Sequence, residues 1–430
     1  MFKIPLFCGR LGPFYLLTKK VCFQAGLSSV HPTLCFFPPF ALSRTPWTLI
    51  FSVMYFRPAS NTGQSLNLFP FRKPQGAFLS HTRTKAMTSH HKAVWQSLRT
   101  RKGPYMLALQ GGGTFGAFQA GVLCKLLADP SFPLPTVISG TSAGALNAVI
   151  LADALLAGGT EAEQRQRAID ALTTLWQDRI PKMALEYINK YFPDLWMFTT
   201  RMALPTETLL DLMQKALDLW LDTMQAYGVP VHVPLISEAD NTLRMLVDKV
   251  DFERIRKNKR FKLYIAACEA AAPHKGRVFT TKEITDKVVA ASGALPDMFA
   301  PLVIDGVPYI EGGYAHNPPL MAPINDGVDT VVLIRLNSDN FNPPRYRAEQ
   351  AYYDQAEVFN KPLKRDMAAI AALNDGRNKP RVTAFDIGGL GRSGFTPPQK
   401  RRVSHALIRQ LFATGERAGD AALKGTPDSL

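Results

Sequence analysis

The sequence predicts a three-layer α/β/α fold, in which helices cover both faces of a mostly parallel β-sheet. Short apolar runs alternate with helical stretches from about residue 104 onward, and this alternation is typical of parallel sheets. The runs are nearly continuous in apolar residues, most clearly at 329–336 (DTVVLIRL), as expected of strands buried on both faces. At 430 residues, the chain is long enough for two or three domains, or for one large α/β domain with added helices.

The first predicted elements surround two glycine-rich segments. A strand at 105–110 leads through the glycines at 111–113 into a helix at 117–128. A second buried strand at 136–139 leads into a helix rich in small residues at 143–157, which two further glycines end. The pattern is therefore strand, glycine turn and helix, twice in succession.

The later elements are helical first and then mixed. Helical periodicity continues to about residue 224, and the tail from about residue 345 is charged and mostly helical. The remaining predicted strands are 262–268, 278–280, 303–304 with 309–310, and 329–336.

The net charge of +15 belongs to one end of the chain. The first 128 residues contain 15 Lys and Arg and no Asp or Glu, so the rest carries equal numbers of basic and acidic residues. Nucleic-acid binding by the folded part is therefore not expected, because such binding depends on an excess of positive charge.

Cysteine usage favours a reducing, cytoplasmic compartment. After residue 35 only Cys124 and Cys268 remain, and they form neither a CxxC pair nor a disulfide framework. Residues 1–86 are basic and acid-free. They are either translated sequence upstream of a start at Met87 or a targeting or membrane-contacting segment, although their longest apolar stretch is about half a membrane span.

The segment 111–116 (GGGTFG) fits the GxGxxG pattern of dinucleotide-binding folds, since it follows a strand and opens a helix. Such a site needs an acidic residue about 20 positions further on, at the end of the second strand. That strand instead ends in 139–142 (SGTS), which contains no carboxylate. Nucleotide binding is therefore only a minor alternative.

The segment 140–144 (GTSAG) is a GxSxG sequence at a predicted strand-to-helix junction. This pattern presents a serine, here Ser142, on a sharp turn that the flanking Gly140 and Gly144 permit. The helix that follows directs its free amides toward developing negative charge. The alternative is a tight turn in which Ser142 only caps the helix.

Successive parallel strands end at the same edge of a sheet, so the glycines at 111–113 are expected beside Ser142. Their amides would then form an oxyanion hole for a reacting ester. The two glycine segments together thus indicate a nucleophilic serine more strongly than either does alone.

A third segment, 304–319 (IDGVPYIEGGYAHNPP), ends a strand at the carboxylate of Glu311, followed by two glycines. A loop of this kind would hold one carboxylate against a serine. Asp305 precedes the final strand and is expected in a β-turn. His316 is expected to pack within its loop, with assistance in proton transfer as the alternative. The remaining histidines of the folded part are expected at surface or loop positions: His232, His274 and His405.

In these three segments, and in 291–310 (ASGALPDMFAPLVIDGVPYI), the sequence resembles the patatin-like phospholipases. The resemblance spans roughly 104–336, about half the chain. It implies a patatin-like α/β/α sandwich and a Ser–Asp dyad that works without histidine. It also implies hydrolysis of acyl esters in phospholipids, galactolipids or neutral lipids through an acyl-serine, with no metal or other cofactor.

The resemblance assigns Ser142 as the nucleophile, and the dyad acid falls on Glu311. The oxyanion hole falls on Gly111, Gly112, Gly113 and Ala143, and the supporting glycines are Gly116, Gly140, Gly144, Gly312 and Gly313. The chain departs from the family at Glu311, where the family pattern has Asp. The additional methylene displaces the carboxylate by about 1 Å, and misplacement on this scale can cost about a hundredfold in rate.

The resemblance also implies how the chain is organised. We expect an N-terminal extension at 1–100, a catalytic domain at 101–340 with a helical, lid-like insertion at about 160–250, and a C-terminal helical region at 341–430. The stretch 187–224, rich in aromatic and aliphatic residues, is either a wall or lid for acyl chains or ordinary helix packing.

Two functions remain from the serine motif. One is a serine lipid acyl hydrolase of the phospholipase A or lipase-esterase type, acting on a phospholipid or other acyl lipid at a transiently contacted, peripheral membrane surface. The other is a weakly active or inactive lipid-binding or regulatory protein, in which Glu311 has lowered the activity. The sequence does not determine the oligomeric state.

Overall fold

The computed structural model describes residues 105–191, 208, 237, 241–339, 341–344, 349–377, 381–388, 390 and 393–425. The predicted N-terminal extension lies outside the described residues. So does most of the second half of the predicted insertion, including nearly all of the proposed acyl-chain wall after residue 191.

Within the described residues, eight strands form one mixed sheet. Its order is β5-β6-β3-β2-β1-β7-β8, and β4 pairs with β3 beside this path. The strands are β1 (Met106–Leu109), β2 (Val137–Gly140), β3 (Lys262–Glu269), β4 (Ala272–Thr280), β5 (Leu302–Ile304), β6 (Val307–Glu311), β7 (Thr330–Ile334) and β8 (Thr383–Ile387). The pairs among β3, β2, β1, β7 and β8 are parallel, whereas β4, β5 and β6 pair in antiparallel fashion.

Helices cover both faces of this sheet. They are α1 (Gly116–Ala128), α2 (Ala143–Leu156), α3 (Glu161–Thr174), α4 (Ile180–Tyr191), α5 (Thr242–Leu246), α6 (Phe252–Lys257), α7 (Asp286–Ser292), α8 (Met321–Asn325), α9 (Gln350–Asn374) and α10 (His405–Leu423). Alternate residues of a strand point to opposite faces. In β1, accordingly, Leu107 and Leu109 join the core formed with α1, α2 and α10, while Met106 and Ala108 join the core formed with α8 and α9. The predicted three-layer α/β/α architecture is confirmed.

The predicted strands and helices around the glycine segments all form, and no end differs from its prediction by more than one residue. The predicted strand at 278–280 is longer than expected, because β4 pairs with β3 over most of that strand. Asp305 and Gly306 both have positive φ, 51° and 79°, in the turn that joins β5 to β6. This confirms the β-turn expected there.

The C-terminal region contributes a strand as well as helices. β8 extends the sheet beside β7, and α10 packs along α1. A Cβ on Gly121 would lie 2.1 Å from the carbonyl oxygen of Phe412, and one on Gly415 would lie 1.9 Å from that of Phe118. The two helix backbones therefore approach each other closely at these glycines.

Candidate active site

Ser142 stands on a sharp turn between β2 and α2. Its backbone has φ 56° and ψ −124°, and outside glycine such a positive φ costs about 1–3 kcal/mol. The amide of Ser142 donates a hydrogen bond to Oγ of Ser292, at the end of α7, over 2.9 Å. The residue is half-buried.

The two glycines that flank Ser142 are required by close backbone contacts. A Cβ on Gly140 would lie 2.5 Å from the carbonyl oxygen of Gly144, and a Cβ on Gly144 would lie 2.1 Å from that of Leu109. β1 and β2 are in register from Met106 with Val137 to Leu109 with Gly140, so both glycine segments leave the sheet at one edge. A side chain at either glycine would push this edge apart.

Glu311 lies at the end of β6, which is linked to the Ser142 turn through β3. β3 continues past the end of β2, and β6 returns antiparallel along this extension, with Glu311 opposite Ala267. The side chain of Ser142 is near enough to the Glu311 carboxylate to lower the pKa of that carboxylate. Its Oε1 also accepts a hydrogen bond from the amide of Gly313 over 3.2 Å. The structure thus places the two predicted dyad residues beside each other.

The carboxylate of Glu311 is buried, with only 2% of the residue exposed. Burial disfavours the ionised form and raises the pKa of Glu311 to about 8, despite the opposing effects of the Ser142 side chain and the Gly313 amide. A carboxylate with a pKa near neutrality is suited to accept and return a proton.

Three amides beside Ser142 are available to a ligand. Among the described residues, none accepts a hydrogen bond from the amides of Gly112, Gly113 or Ala143. The glycine loop is close to the serine, since a Cβ on Gly111 would lie 2.9 Å from Cβ of Ser142. The site can therefore offer up to three backbone donors to a developing oxyanion.

The amide of Gly111, which the sequence analysis placed in the oxyanion hole, has a different partner. It donates to Oδ1 of Asn317 over 2.7 Å, while Nδ2 of Asn317 donates to the carbonyl oxygen of Phe359 over 3.1 Å. The contribution of Gly111 is therefore to anchor the loop rather than to bind the oxyanion. Asn317 lies six residues after Glu311, so one segment supplies both the dyad carboxylate and this anchor.

The supporting glycines Gly116 and Gly312 also stand at close contacts. A Cβ on Gly116 would lie 2.3 Å from the Trp176 ring, and one on Gly312 would lie 2.2 Å from the carbonyl oxygen of Ala266. The side chain of Asn147 donates to the carbonyl oxygen of Gly116 over 3.1 Å. These contacts fix the start of α1 and the turn after β6.

No histidine among the described residues is hydrogen-bonded to Ser142 or Glu311. The ring of His316 packs against β4, where a Cβ on Gly276 would lie 2.4 Å from it, and its carbonyl oxygen accepts a hydrogen bond from Oγ1 of Thr141. His274 lies in β4 and His405 begins α10. His232 lies outside the described residues. The loop-packing role expected of His316 agrees with these contacts.

Sequence reasoning did not single out Ser292 or Asn317, although both lie in the segments that carried the family resemblance. Each supports the site through a hydrogen bond to a residue at least 150 positions away. Only the serine of 291–293 and the asparagine before the two prolines could have drawn attention to them.

The described part of the chain holds neither a metal-binding cluster nor a membrane-spanning helix. No group of three or more His, Cys, Asp and Glu side chains there is arranged to hold a metal ion. None of the helices there combines the length and the apolar character needed to cross a bilayer.

The mixed sheet, the strained turn at Ser142 and the buried carboxylate of Glu311 beside it define an α/β protein with a candidate serine–carboxylate site. The chain belongs to the patatin-like phospholipase family, whose sequence model matches residues 107–324, half of the chain. Membership of this family implies lipid acyl hydrolase activity.

Solved structures similar to the chain include VipD from Legionella pneumophila, at 16% identity and a TM-score of 0.33, covering 75% of this chain and 67% of VipD. The type III effector protein ExoU is also 16% identical, with a TM-score of 0.26, and the match covers 76% of this chain and 54% of ExoU. No curated protein sequence matches the chain. Both TM-scores are low, so the account of the site depends on the chain's own contacts.

Proposed function

We propose that the protein is a serine lipid acyl hydrolase of the phospholipase A or lipase-esterase type. Ser142 is the nucleophile and Glu311 the general base and acid. The observation that carries the proposal is the proximity of Ser142, on its strained turn, to the buried carboxylate of Glu311. Three free amides beside Ser142 support it.

The first half of the reaction forms an acyl-enzyme. Oγ of Ser142 attacks the ester carbonyl while Glu311 takes the hydroxyl proton, and the carbonyl oxygen becomes an oxyanion. The amides of Gly112, Gly113 and Ala143 donate to that oxyanion. When the tetrahedral intermediate collapses, the bond to the alcohol breaks, and Glu311 returns its proton to the departing oxygen.

The second half releases the acid. A water molecule attacks the acyl-serine carbonyl as Glu311 accepts a proton from it, and the same amides bind the second oxyanion. Collapse breaks the bond to Oγ of Ser142, Glu311 returns the proton to that oxygen, and a fatty acid leaves. One carboxylate therefore acts as base and as acid in both halves.

An acyl-lipid substrate at a transiently contacted membrane surface agrees with the apolar surroundings of the site. A Cβ on Gly293 would lie 3.8 Å from Oγ of Ser142 and 3.0 Å from Cδ1 of Leu243. Two residues further along α5, Met245 is 54% exposed. Met245 thus offers lipid an exposed apolar side chain on the short helix that carries Leu243.

A second candidate function is lipid binding with little turnover. The observation in its favour is the pKa of Glu311, about 8, because most of the base is then protonated at neutral pH. The two candidates differ in whether Ser142 turns over esters at a pH where Glu311 is ionised.

Replacement of Ser142 by Ala is expected to abolish ester hydrolysis without unfolding the protein. Alanine removes the nucleophile but keeps a Cβ on the turn. The measurement is p-nitrophenyl butyrate and phosphatidylcholine hydrolysis by the full-length chain at pH 8.5, with fluorophosphonate labelling of the same samples. Full activity in S142A would refute the mechanism. A parent that is labelled at Ser142 but does not turn over would favour the lipid-binding candidate.

A further inference from the structure

Lys400 lies against the glycine loop, although the two are far apart in the sequence. It belongs to a short 3₁₀-helix, Pro397–Arg401, which packs on the 3₁₀-helix Gly113–Phe115. Gly113 has φ 56°, and a Cβ there would lie 2.3 Å from the carbonyl oxygen of Lys400. The segment that carries Lys400 is anchored next to this contact, where Arg401 pairs with Asp297 over 2.5 Å.

Two hydrogen bonds connect the Lys400 side chain to the loop. Nζ of Lys400 donates to Oδ1 of Asn337, and Nδ2 of Asn337 donates to the carbonyl oxygen of Gly111 over 3.0 Å. Asn337 is fully buried, and its backbone amide donates to Oε1 of Gln110 over 2.8 Å. Nζ of Lys400 has N–H donors in both its ammonium and its neutral form, so it bonds the oxygen of the Asn337 side-chain amide and leaves Nδ2 for Gly111.

The carbonyl of Gly111 and the amide of Gly112 belong to one peptide group. A trans peptide is planar, and its C=O and N–H point in opposite directions. The hydrogen bond from Asn337 to the carbonyl of Gly111 therefore determines where the N–H of Gly112 points. That N–H is one of the three free amides beside Ser142.

The surroundings of Lys400 do not explain it as a structural ion pair. Within the described part of the chain its one side-chain hydrogen bond is to Asn337. The ring centroids of Phe115 and Phe341 lie 5.8 Å and 5.5 Å from Nζ. Burial lowers the pKa of Lys400 to about 7, because removing an ammonium from water is unfavourable. The burial of this side chain therefore destabilises the folded state.

We propose that Lys400 is a positioning residue for the oxyanion hole: acting through Asn337, it orients the peptide between Gly111 and Gly112 so that the Gly112 amide faces the reacting ester. The inference depends on the proposed hydrolase function. Both Asn337 and Lys400 lie beyond residue 324, where the match to the family model ends.

The test is steady-state hydrolysis of p-nitrophenyl butyrate by full-length parent, K400M, K400Q, N337A and the K400M/N337A double variant. Met keeps the length and apolar stem of Lys without a donor, whereas Gln retains one. We expect kcat to fall about tenfold or more in K400M and N337A, with KM within about twofold of the parent. K400Q is expected to lie between K400M and the parent.

The double variant should be no worse than the more impaired single variant, because both changes break the same chain of contacts. K249M, at an exposed lysine, is the control and should match the parent. Far-UV circular dichroism and Tm confirm that each variant is folded. If K400M does not fold, the kcat of K400Q decides, since a loss of kcat at unchanged KM is still required.

Other outcomes overturn the inference. An active parent with unchanged kcat in K400M shows that Lys400 does not position the hole. A loss confined to KM for anionic phosphatidylglycerol, with p-nitrophenyl butyrate unaffected, shows that Lys400 binds a headgroup instead. A parent without Ser142-dependent activity would refute the proposed function itself, which S142A in parallel distinguishes.

Discussion

At the scale of single residues, the ionisation of Glu311 controls the proposed reaction. Burial raises the pKa of Glu311 to about 8, so only about a tenth of the carboxylate is ionised at pH 7. We expect kcat/KM to rise about tenfold between pH 7 and pH 9 and then to level off. A pH–rate profile with p-nitrophenyl butyrate, corrected with S142A, measures this. A midpoint near the ordinary glutamate value of 4.5 would contradict the assignment.

The same titration has a consequence for stability. The pKa of Glu311 is raised in the folded protein, so the folded state holds a proton that the unfolded chain releases. The resulting stability is fully present below about pH 4.5 and is lost as pH rises to about 8, by roughly 4–5 kcal/mol in all. E311Q cannot ionise, and its Tm should exceed that of the parent by several degrees at pH 8.5 and by little at pH 5. Thermal unfolding at both pH values measures the difference. A gap that is equal at the two pH values would show that Glu311 does not titrate in this way.

E311D tests whether the longer side chain is needed. Glu311 already reaches Ser142, so the shorter Asp would withdraw the carboxylate by about 1 Å or more and reduce kcat by about a hundredfold. The rate measured with S142A gives the background hydrolysis, and the Tm of E311D shows whether that variant is folded. Activity of E311D equal to or above that of the parent would show that the family's usual carboxylate also works here.

The candidate site was predictable from the sequence only where its residues are close in the chain. Ser142 and Glu311 each stand in a short motif with its own glycines, and both are where the motifs predict. Asn317 and Asn337 act through single hydrogen bonds to Gly111 across more than 200 residues. No local pattern marks such a pair, because only the folded sheet brings the two ends together.

At the scale of elements, the packing of α10 on α1 depends on Gly415. Alanine has a higher helix propensity than glycine by about 1 kcal/mol, so propensity alone would make G415A stabilising. The added Cβ would lie 1.9 Å from the carbonyl oxygen of Phe118, however, and forcing the helices apart costs typically 1–3 kcal/mol or more. We expect a net loss of stability.

Chemical denaturation of G415A measures this balance. Gln410 is exposed on the same helix, and Q410A should leave the free energy of unfolding within about 0.5 kcal/mol of the parent. If G415A proves as stable as Q410A, the two helices must adjust to the extra methyl group.

Strands were predicted well where they are apolar and less well elsewhere. β7 is buried throughout, and its run of Val, Leu and Ile was apparent in the sequence. β8 holds an aspartate and two half-buried residues, and it lies in a tail whose charge suggested helices. The antiparallel return of β6 along β3 depends on pairing between distant segments, which local periodicity does not report.

At the scale of the whole molecule, the residues beyond the family match complete the same core. β7 and β8 extend the sheet, and α10 buries Leu411 and Phe412 against the face that carries α1. A chain that ends at residue 404 lacks α10 and would leave this face of α1 uncovered. We expect it to lose cooperative unfolding and to be recovered mostly as aggregate.

Size-exclusion chromatography and thermal unfolding of the shortened chain measure this, with a chain ending at residue 425 as the control. A shortened chain that unfolds cooperatively near the Tm of the parent would show that the C-terminal helix is dispensable. The sequence predicts only that this region is helical. Its packing on α1 depends on close contacts at glycines, and glycines leave no hydrophobic pattern in the sequence.

β3 pairs over its first part with β2, which leads to Ser142, and over its last part with β6, which ends at Glu311. The length of β3 between these two pairings therefore sets the distance between the proposed nucleophile and base. A strand rises about 3.3 Å per residue, and successive side chains point to opposite faces of the sheet. Loops around the site can lengthen or shorten without separating the pair, whereas one residue gained or lost within β3 would disconnect it. The spacing of Ser142 and Glu311 thus depends on the hydrogen-bond register of a buried strand. Insertions and deletions are least tolerated in such a strand.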